Sequence, residues 1–210
     1  MHRKNDEWVS LDREDIWDEF VNGNYHCFKP LFESYFEEMY GYGIKLCNRP
    51  SIVKDAIQDL FKAVWERRDD LDHIDSPNVY LFVSLRRKIL KAVKRENKAN
   101  GDLSEVNEDS FTSFSIEEII ITDEVKHSNK RELKEALNRL SDRQKEVIYL
   151  HYYNGMSYGE IQDILSIKRQ SVRNHMYRGM QTLRELLDNE IMKLVISLLV
   201  TFQFSISLFL

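Results

Sequence analysis

The stretch that most constrains this chain runs from Ser157 to Leu187, SYGEIQDILSIKRQSVRNHMYRGMQTLRELL. Ser157 with Glu160 three residues on is a capping box, which satisfies orphan amides at a helix start. Ile161, Ile164 and Leu165 then form one apolar face at helical spacing. A break at Ser166-Ile167 follows, and a longer helix is expected from Lys168 or Arg169, with Val172, Met176, Met180 and Leu183 pointing inward. Its other face carries Arg169, Gln170, Arg173, Asn174, His175 and Arg178. A short helix, a tight turn and a second helix opening on Arg, Gln and Asn is the helix-turn-helix pattern. Arg, Gln and Asn make paired hydrogen bonds to base edges in the major groove, and Arg also neutralises phosphate. The plainer alternative is a basic, solvated helix in an ordinary bundle. Cap, turn and apolar spacing occurring together favour DNA binding.

At 210 residues the chain allows one large or two small domains, and 42% apolar residues suffice for packed cores. Pro (3) and Gly (7) are few, and no run alternates strictly before the last ten residues, so an all-α fold is expected. The formal net charge of −5 argues by itself against a nucleic-acid partner. Affinity for DNA depends on local basic surfaces rather than on the sum, and here the charge is segregated. Cys27 and Cys47 lack metal-ligand spacing and read as reduced, partly buried thiols. Residues 1–24 are charged throughout and do not form a secretory signal, so a cytoplasmic location is expected.

From the N-terminal side, Leu11 to Asn22 reads as a helix with Ile16, Trp17 and Phe20 inward. Tyr25 to Leu46 is rich in aromatics, and Phe28, Phe32, Tyr35 and Phe36 follow helical spacing expected to serve core packing. After a turn at Asn48-Arg49-Pro50-Ser51, Ile52 to Arg68 is an amphipathic helix. Its Val53, Ala56, Ile57, Leu60, Phe61 and Val64 face in, with Asp55, Gln58, Asp59, Lys62 and Glu66 outward. Ser76-Pro77 suits a helix start, and Val79 to Asn97 forms a third long helix. Its front half is apolar, while its back half holds Arg86, Arg87, Lys88, Lys91, Lys94, Arg95 and Lys98 against only Glu96. Seven cations in thirteen residues exceed what a helix macrodipole calls for and point to a polyanion partner. Asn100 to Ser128 is acidic, polar and aperiodic, and is expected to be a flexible linker in which Ile116 to Ile121 docks as a short helix. Glu132 opens the second domain, with Leu133, Ala136, Leu137 and Leu140 inward, and Ser141 to Gln144 is a second capping box.

Three of these stretches resemble the bacterial RNA polymerase sigma factors of the sigma-70 family, in particular the small extracytoplasmic-function (ECF) type. Asp55-Ala-Ile-Gln-Asp-Leu-Phe61 with Trp65 resembles the family's polymerase-docking helix. Tyr80-Leu-Phe-Val-Ser-Leu-Arg86 with its basic run resembles the promoter-melting helix. Leu140-Ser-Asp-Arg-Gln-Lys-Glu-Val147 through Leu186 resembles the fourth region, which binds the upstream promoter element. The sequence departs from the family pattern where Arg86-Arg87 replaces Arg-Asn, Lys91 stands for a frequent Asp, and Ser166-Ile167-Lys168 forms the recognition turn.

The resemblance implies two small helical domains, a region-2-like 10–98 and a region-4-like helix-turn-helix 130–188, joined by linker 99–129. It implies core RNA polymerase as partner, through the β′ clamp and β flap, together with promoter DNA and an anti-sigma factor. Asp55, Gln58, Asp59 and Trp65 would contact polymerase. Arg86, Arg87, Lys88, Lys91, Lys94 and Arg95 would hold the opened −10 strand. Arg169, Gln170, Arg173, Asn174, His175 and Arg178 would read the −35 element.

No Gly-rich phosphate loop, carboxylate pair or His/Cys cluster gives enzyme chemistry a foothold, and no cofactor or metal is expected. The rival reading is a helix-turn-helix regulator that binds DNA without melting it. The apolar tail, 189–210, stands outside both patterns. Its uncharged part, Leu194 to Leu210, would span about 26 Å as a helix, short of the roughly 30 Å hydrocarbon core. A tail covered by a partner or by the chain itself is favoured over a membrane contact.

Overall fold

A computed structural model of the chain describes residues 11–99 and 127–188. The expectations for the linker, its isoleucine-rich helix and the tail fall outside those residues. Among the described residues every regular element is helical. The chain divides into two compact units, Met1–Glu105 and Val106–Leu210.

In the first unit, helix α1 (Arg13–Val21) starts at Asp12, whose carboxylate accepts from the Asp15 amide at 2.8 Å. It buries Ile16, Trp17 and Phe20, as their spacing predicts. Arg13 ties it to the next helix: its guanidinium donates to both Glu38 oxygens at 2.9 and 2.8 Å and lies 4.8 Å over the Tyr35 ring. A 3-10 turn at Tyr25–Cys27 leads into α2 (Phe28–Cys47), which ends on Asn48 in the left-handed region at φ 48°. Pro50 then supplies the first residue of α3 (Pro50–Glu66), two residues earlier than expected, since its ring presets the helical φ. A 3-10 turn at Arg68–Asp70 and a short connection reach α4 (Pro77–Ala99).

α3 packs against both α2 and α4 through Val53, Ile57, Leu60, Phe61 and Val64, all within the core. The backbones approach closely at Gly43 of α2, where an added Cβ would lie 2.5 Å from Val53 Cγ1 and 3.0 Å from Ile89 Cδ1. The aromatic reading of α2 needs correction. Tyr35 is core, but the buried stripe is Leu31, Tyr35, Met39, Tyr42 and Leu46, while Phe28, Phe32 and Phe36 are only half-buried. Those three lie on a second stripe at i,i+4 spacing, one position round the helix from the core.

The second unit comprises α5 (His127–Asn138), α6 (Asp142–Tyr152), α7 (Tyr158–Leu165) and α8 (Arg169–Leu186). α5 starts five residues before the expected Glu132, inside the stretch read as linker, and buries Leu133, Ala136 and Leu137. Both capping boxes are formed: Ser141 with Gln144, and Ser157 with Glu160. α6 packs on α8, α7 packs on both, and Val147, Leu150, Ile161, Val172 and Leu183 fill the space between. In α8 the inward stripe differs at one step. Gly179 is buried and Met180 is half-buried, and α6 lies so near that a Cβ at position 179 would be in tight contact with it.

Candidate polymerase and nucleic-acid interfaces

α8 is presented by the turn before it. Ser166 ends α7 in the left-handed region at φ 53°, and the Ile167 amide donates back to the Gln162 carbonyl at 3.1 Å. That reversal closes the α7 carbonyls and lets Lys168, in extended geometry, start α8 at once. With Val172, Met176 and Leu183 pinned in the core, helical geometry drives Arg169, Gln170, Arg173, Asn174 and Arg178 to the exposed side. His175 is half-buried at the edge of this face. Gln170 Nε2 donates to Asn174 Oδ1 at 3.1 Å, one turn apart. Tyr177, 69% exposed, stands on the same face, four residues after Arg173 and three after Asn174. The sequence reading left Tyr177 out, although its register alone places it there.

α4 carries the second cationic surface. Arg87, Lys91, Lys94, Arg95 and Lys98 are exposed and Lys88 is half-buried. Glu96, the acid in this half, accepts from Arg49 Nη1 at 2.7 Å, and Arg49 also reaches Asn97 Oδ1 at 3.1 Å. A cation from the α2–α3 turn thus offsets Glu96. Arg86 is a correction: it is 5% exposed and does not share this surface. Its place follows from periodicity, since Phe82, Arg86, Ile89 and Val93 share one inward stripe.

On α3 the exposed residues Asp55, Gln58 and Asp59 form one stripe, ending near Trp65, which is 37% exposed. Trp65 is held in an aromatic group, its ring 5.0 Å from Phe28, 5.4 Å from Tyr25 and 6.0 Å from Phe20. Arg68 lies 4.8 Å over Tyr25 and 5.3 Å over Trp65, and donates to the Trp65 carbonyl at 2.8 Å. Gln58 and Trp65 share with Phe28, Phe32, Phe61 and Lys62 the lining of an apolar groove between α2 and α3. The half-buried Phe28 and Phe32 therefore flank this exposed stripe. Tyr25 and Arg68 had no local signal in the sequence, because they meet Trp65 only through the fold. The exposed Lys62–Glu66 pair at 3.9 Å contributes little to stability.

Residues 31–99 match the profile of sigma-70 region 2, and residues 130–183 match that of sigma-70 region 4. The chain belongs to the sigma-70 family, in its ECF branch. It is similar to the ECF RNA polymerase sigma factor SigK of Mycobacterium sp. (strain KMS), with 23% identity over 184 residues, 86% of this chain and 93% of that one. It is likewise 21% identical over 180 residues to SigK of Mycobacterium ulcerans, covering 85% and 95% of the two chains. In fold it is similar to the sigma factor RpoE of Bartonella quintana, solved with the anti-sigma factor NepR. That likeness has a TM-score of 0.54 and 22% identity, and covers 76% of this chain and 95% of that one. It is also similar to CnrH, solved with the cytosolic domain of CnrY, at TM-score 0.52 and 21% identity over 84% and 98% of the two chains. As a sigma factor it directs promoter recognition and transcription initiation. The reading as a regulator that binds DNA without melting it is not favoured, since it accounts for residues 130–183 alone.

No helix among the described residues is long and apolar enough to cross a membrane. Among the same residues no group of His, Cys, Asp and Glu is placed to hold a metal.

Proposed function

We propose that this sigma factor docks on core polymerase through Asp55, Gln58, Asp59 and Trp65 of α3, with the neighbouring aromatic groove as the apolar part of the contact. Arg87, Lys88, Lys91, Lys94 and Arg95 of α4 hold the opened −10 strand by its phosphates, and Arg86 supports them from inside. Arg169, Gln170, Arg173, Asn174 and Arg178 of α8, with Tyr177 among them and His175 at the edge, face the −35 element. The division of labour follows the units: 10–98 for polymerase and the −10 strand, 130–188 for the −35 element. The chain works in the cytoplasm as a binding subunit, without catalytic chemistry of its own. An anti-sigma factor is proposed as its regulator, on the strength of a structural relative solved with such a partner.

The observation that carries this reading is the arrangement of α3 and α4. Packed side by side, they expose an acid–amide stripe and a cationic half within one unit. One surface suits a basic protein face, the other a nucleic-acid backbone. The test is run-off transcription with purified core polymerase. Asp55→Lys with Asp59→Lys should abolish core pull-down and transcription while leaving the helical signal intact, since both side chains are exposed. Normal core binding by the double variant would overturn the α3 assignment.

A further inference from the structure

The hydrogen bond between Gln170 and Asn174 gives the two amides different tasks. Both lie exposed on the opening turns of α8, the part of a recognition helix that meets base edges. Gln170 Nε2 donates to Asn174 Oδ1 at 3.1 Å. An amide oxygen has two lone pairs, and an amide nitrogen two hydrogens. Gln170 occupies one lone pair of Oδ1 and thereby fixes which end of the Asn174 amide is which. What remains on Asn174 is one acceptor site on Oδ1 beside a donating Nδ2, both in one plane. In the major groove adenine offers the complement, an N6–H donor beside the N7 acceptor. Guanine offers two acceptors at its edge, and cytosine a lone donor. Only adenine satisfies both halves of an amide held this way.

We propose that Asn174 reads a single adenine in the upstream promoter element, through Oδ1 to N6–H and Nδ2 to N7, and that Gln170 is its positioning residue. This rests on the reading of α8 as the −35-binding helix and names the base it takes. Without Gln170 the Asn174 side chain rotates freely, so its contact costs rotamer entropy and its two ends become interchangeable. Gln170 removes that freedom before DNA arrives. The arginines at 169, 173 and 178 supply charge around the pair but cannot accept a hydrogen bond, and so cannot duplicate its choice of base.

The test uses the full chain assembled with core polymerase, offered a duplex library randomised through the upstream element. The wild type should select adenine at one position. At that position 7-deazaadenine, which lacks N7, should weaken binding by about 5- to 100-fold. Asn174→Ala should lose the selection there alone and become indifferent to 7-deazaadenine. Gln170→Glu keeps the size but cannot donate, and should blunt the preference at the same position. Gln170→Ala combined with Asn174→Ala should be no worse than Asn174→Ala by itself. If Asn174→Ala weakens all sequences alike, or if Gln170 and Asn174 govern different positions, the adenine assignment is wrong, while a lost preference in Arg173→Ala would still uphold α8 as the reading helix. If neither Arg173→Ala nor Asn174→Ala alters selection anywhere in the library, α8 is not the reading helix and both proposals fall.

Discussion

Gly179 of α8 faces Ile148 of α6 so closely that a Cβ at position 179 would sit 3.0 Å from Ile148 Cδ1 and 3.4 Å from Gln144 Cβ. On helix propensity alone this glycine costs about 1 kcal/mol relative to alanine. The close approach of α6 is the physical reason for it. Gly179→Ala should therefore gain in propensity what it loses in packing and melt near the wild type, within about 1 kcal/mol. Ile148→Val removes the crowding methyl, and in that background Gly179→Ala should become stabilising relative to Ile148→Val. Gly179→Leu should be destabilising by about 1–3 kcal/mol in either background. Urea midpoints of the five single and double variants measure the coupling, and strict additivity would mean that the two residues do not meet.

Arg86 and Arg87 adjoin in sequence and differ in fate. Arg86 is 5% exposed while Arg87 is exposed on the cationic side of α4. Arg86→Ala should destabilise the first unit by about 2–4 kcal/mol, because it empties a buried site and strands whatever the guanidinium serves. Arg87→Ala should change stability by no more than about 0.5 kcal/mol, yet lower the salt dependence of promoter binding by about one ion. Thermal melts read the first effect and salt titrations of holoenzyme on promoter DNA the second. The reverse pattern would restore Arg86 to the DNA surface.

The local signals were legible in the sequence where the physics is local. Both serine capping boxes, the turn at Ser166-Ile167 and the inward faces of α3 and α5 follow from spacing within one or two helical turns. What was not legible arises between elements. Phe28, Phe32 and Phe36 share helical spacing with Tyr35, but only the positions of α1, α3 and α4 decide which stripe is covered. Arg86 belongs to a basic run by composition and to an apolar stripe by register, and register wins because burial follows geometry. Arg49 pairing with Glu96 across 47 residues, and Arg68 lying over Tyr25 and Trp65, had no trace along the chain. Tyr177 was legible by register, but a phenol lacks the paired hydrogen-bonding groups that mark Arg, Gln and Asn for base edges.

The first unit should lose stability in alkali for a reason found in its core. Burial pushes the Tyr35 hydroxyl up to about 12, with nearby Arg13 opposing and Glu38 adding to the shift. Burial also raises the Cys27 thiol to about 11, with help from Glu19. Both groups hold a proton in the folded state that the unfolded chain releases at lower pH, near 9 for the thiol and 10 for the phenol. Their contribution is therefore fully present below about pH 9 and is lost as pH rises toward 12. Urea midpoints should fall across that window, and Tyr35→Phe should flatten the slope above pH 10. An unchanged slope in Tyr35→Phe would show that the phenol titrates normally in the folded chain.

Ser166 holds the turn that presents the recognition helix, and it does so at φ 53°, a conformation in which a Cβ crowds the following carbonyl. The cost for an L-residue is about 1–2 kcal/mol, part of which a glycine forfeits through its freer unfolded chain. Ser166→Gly should therefore stabilise the second unit by about 0.5–1 kcal/mol, and Ser166→Val should destabilise it, because a β-branched side chain tolerates this region worst. The Ile167-to-Gln162 hydrogen bond is made by backbone atoms and survives both changes, so the angle at which α8 leaves the turn is kept. Promoter selection by holoenzyme carrying Ser166→Gly should match the wild type while its melting temperature rises. A rise in stability accompanied by altered base preference would show that the serine side chain, rather than the turn it closes, takes part in reading DNA.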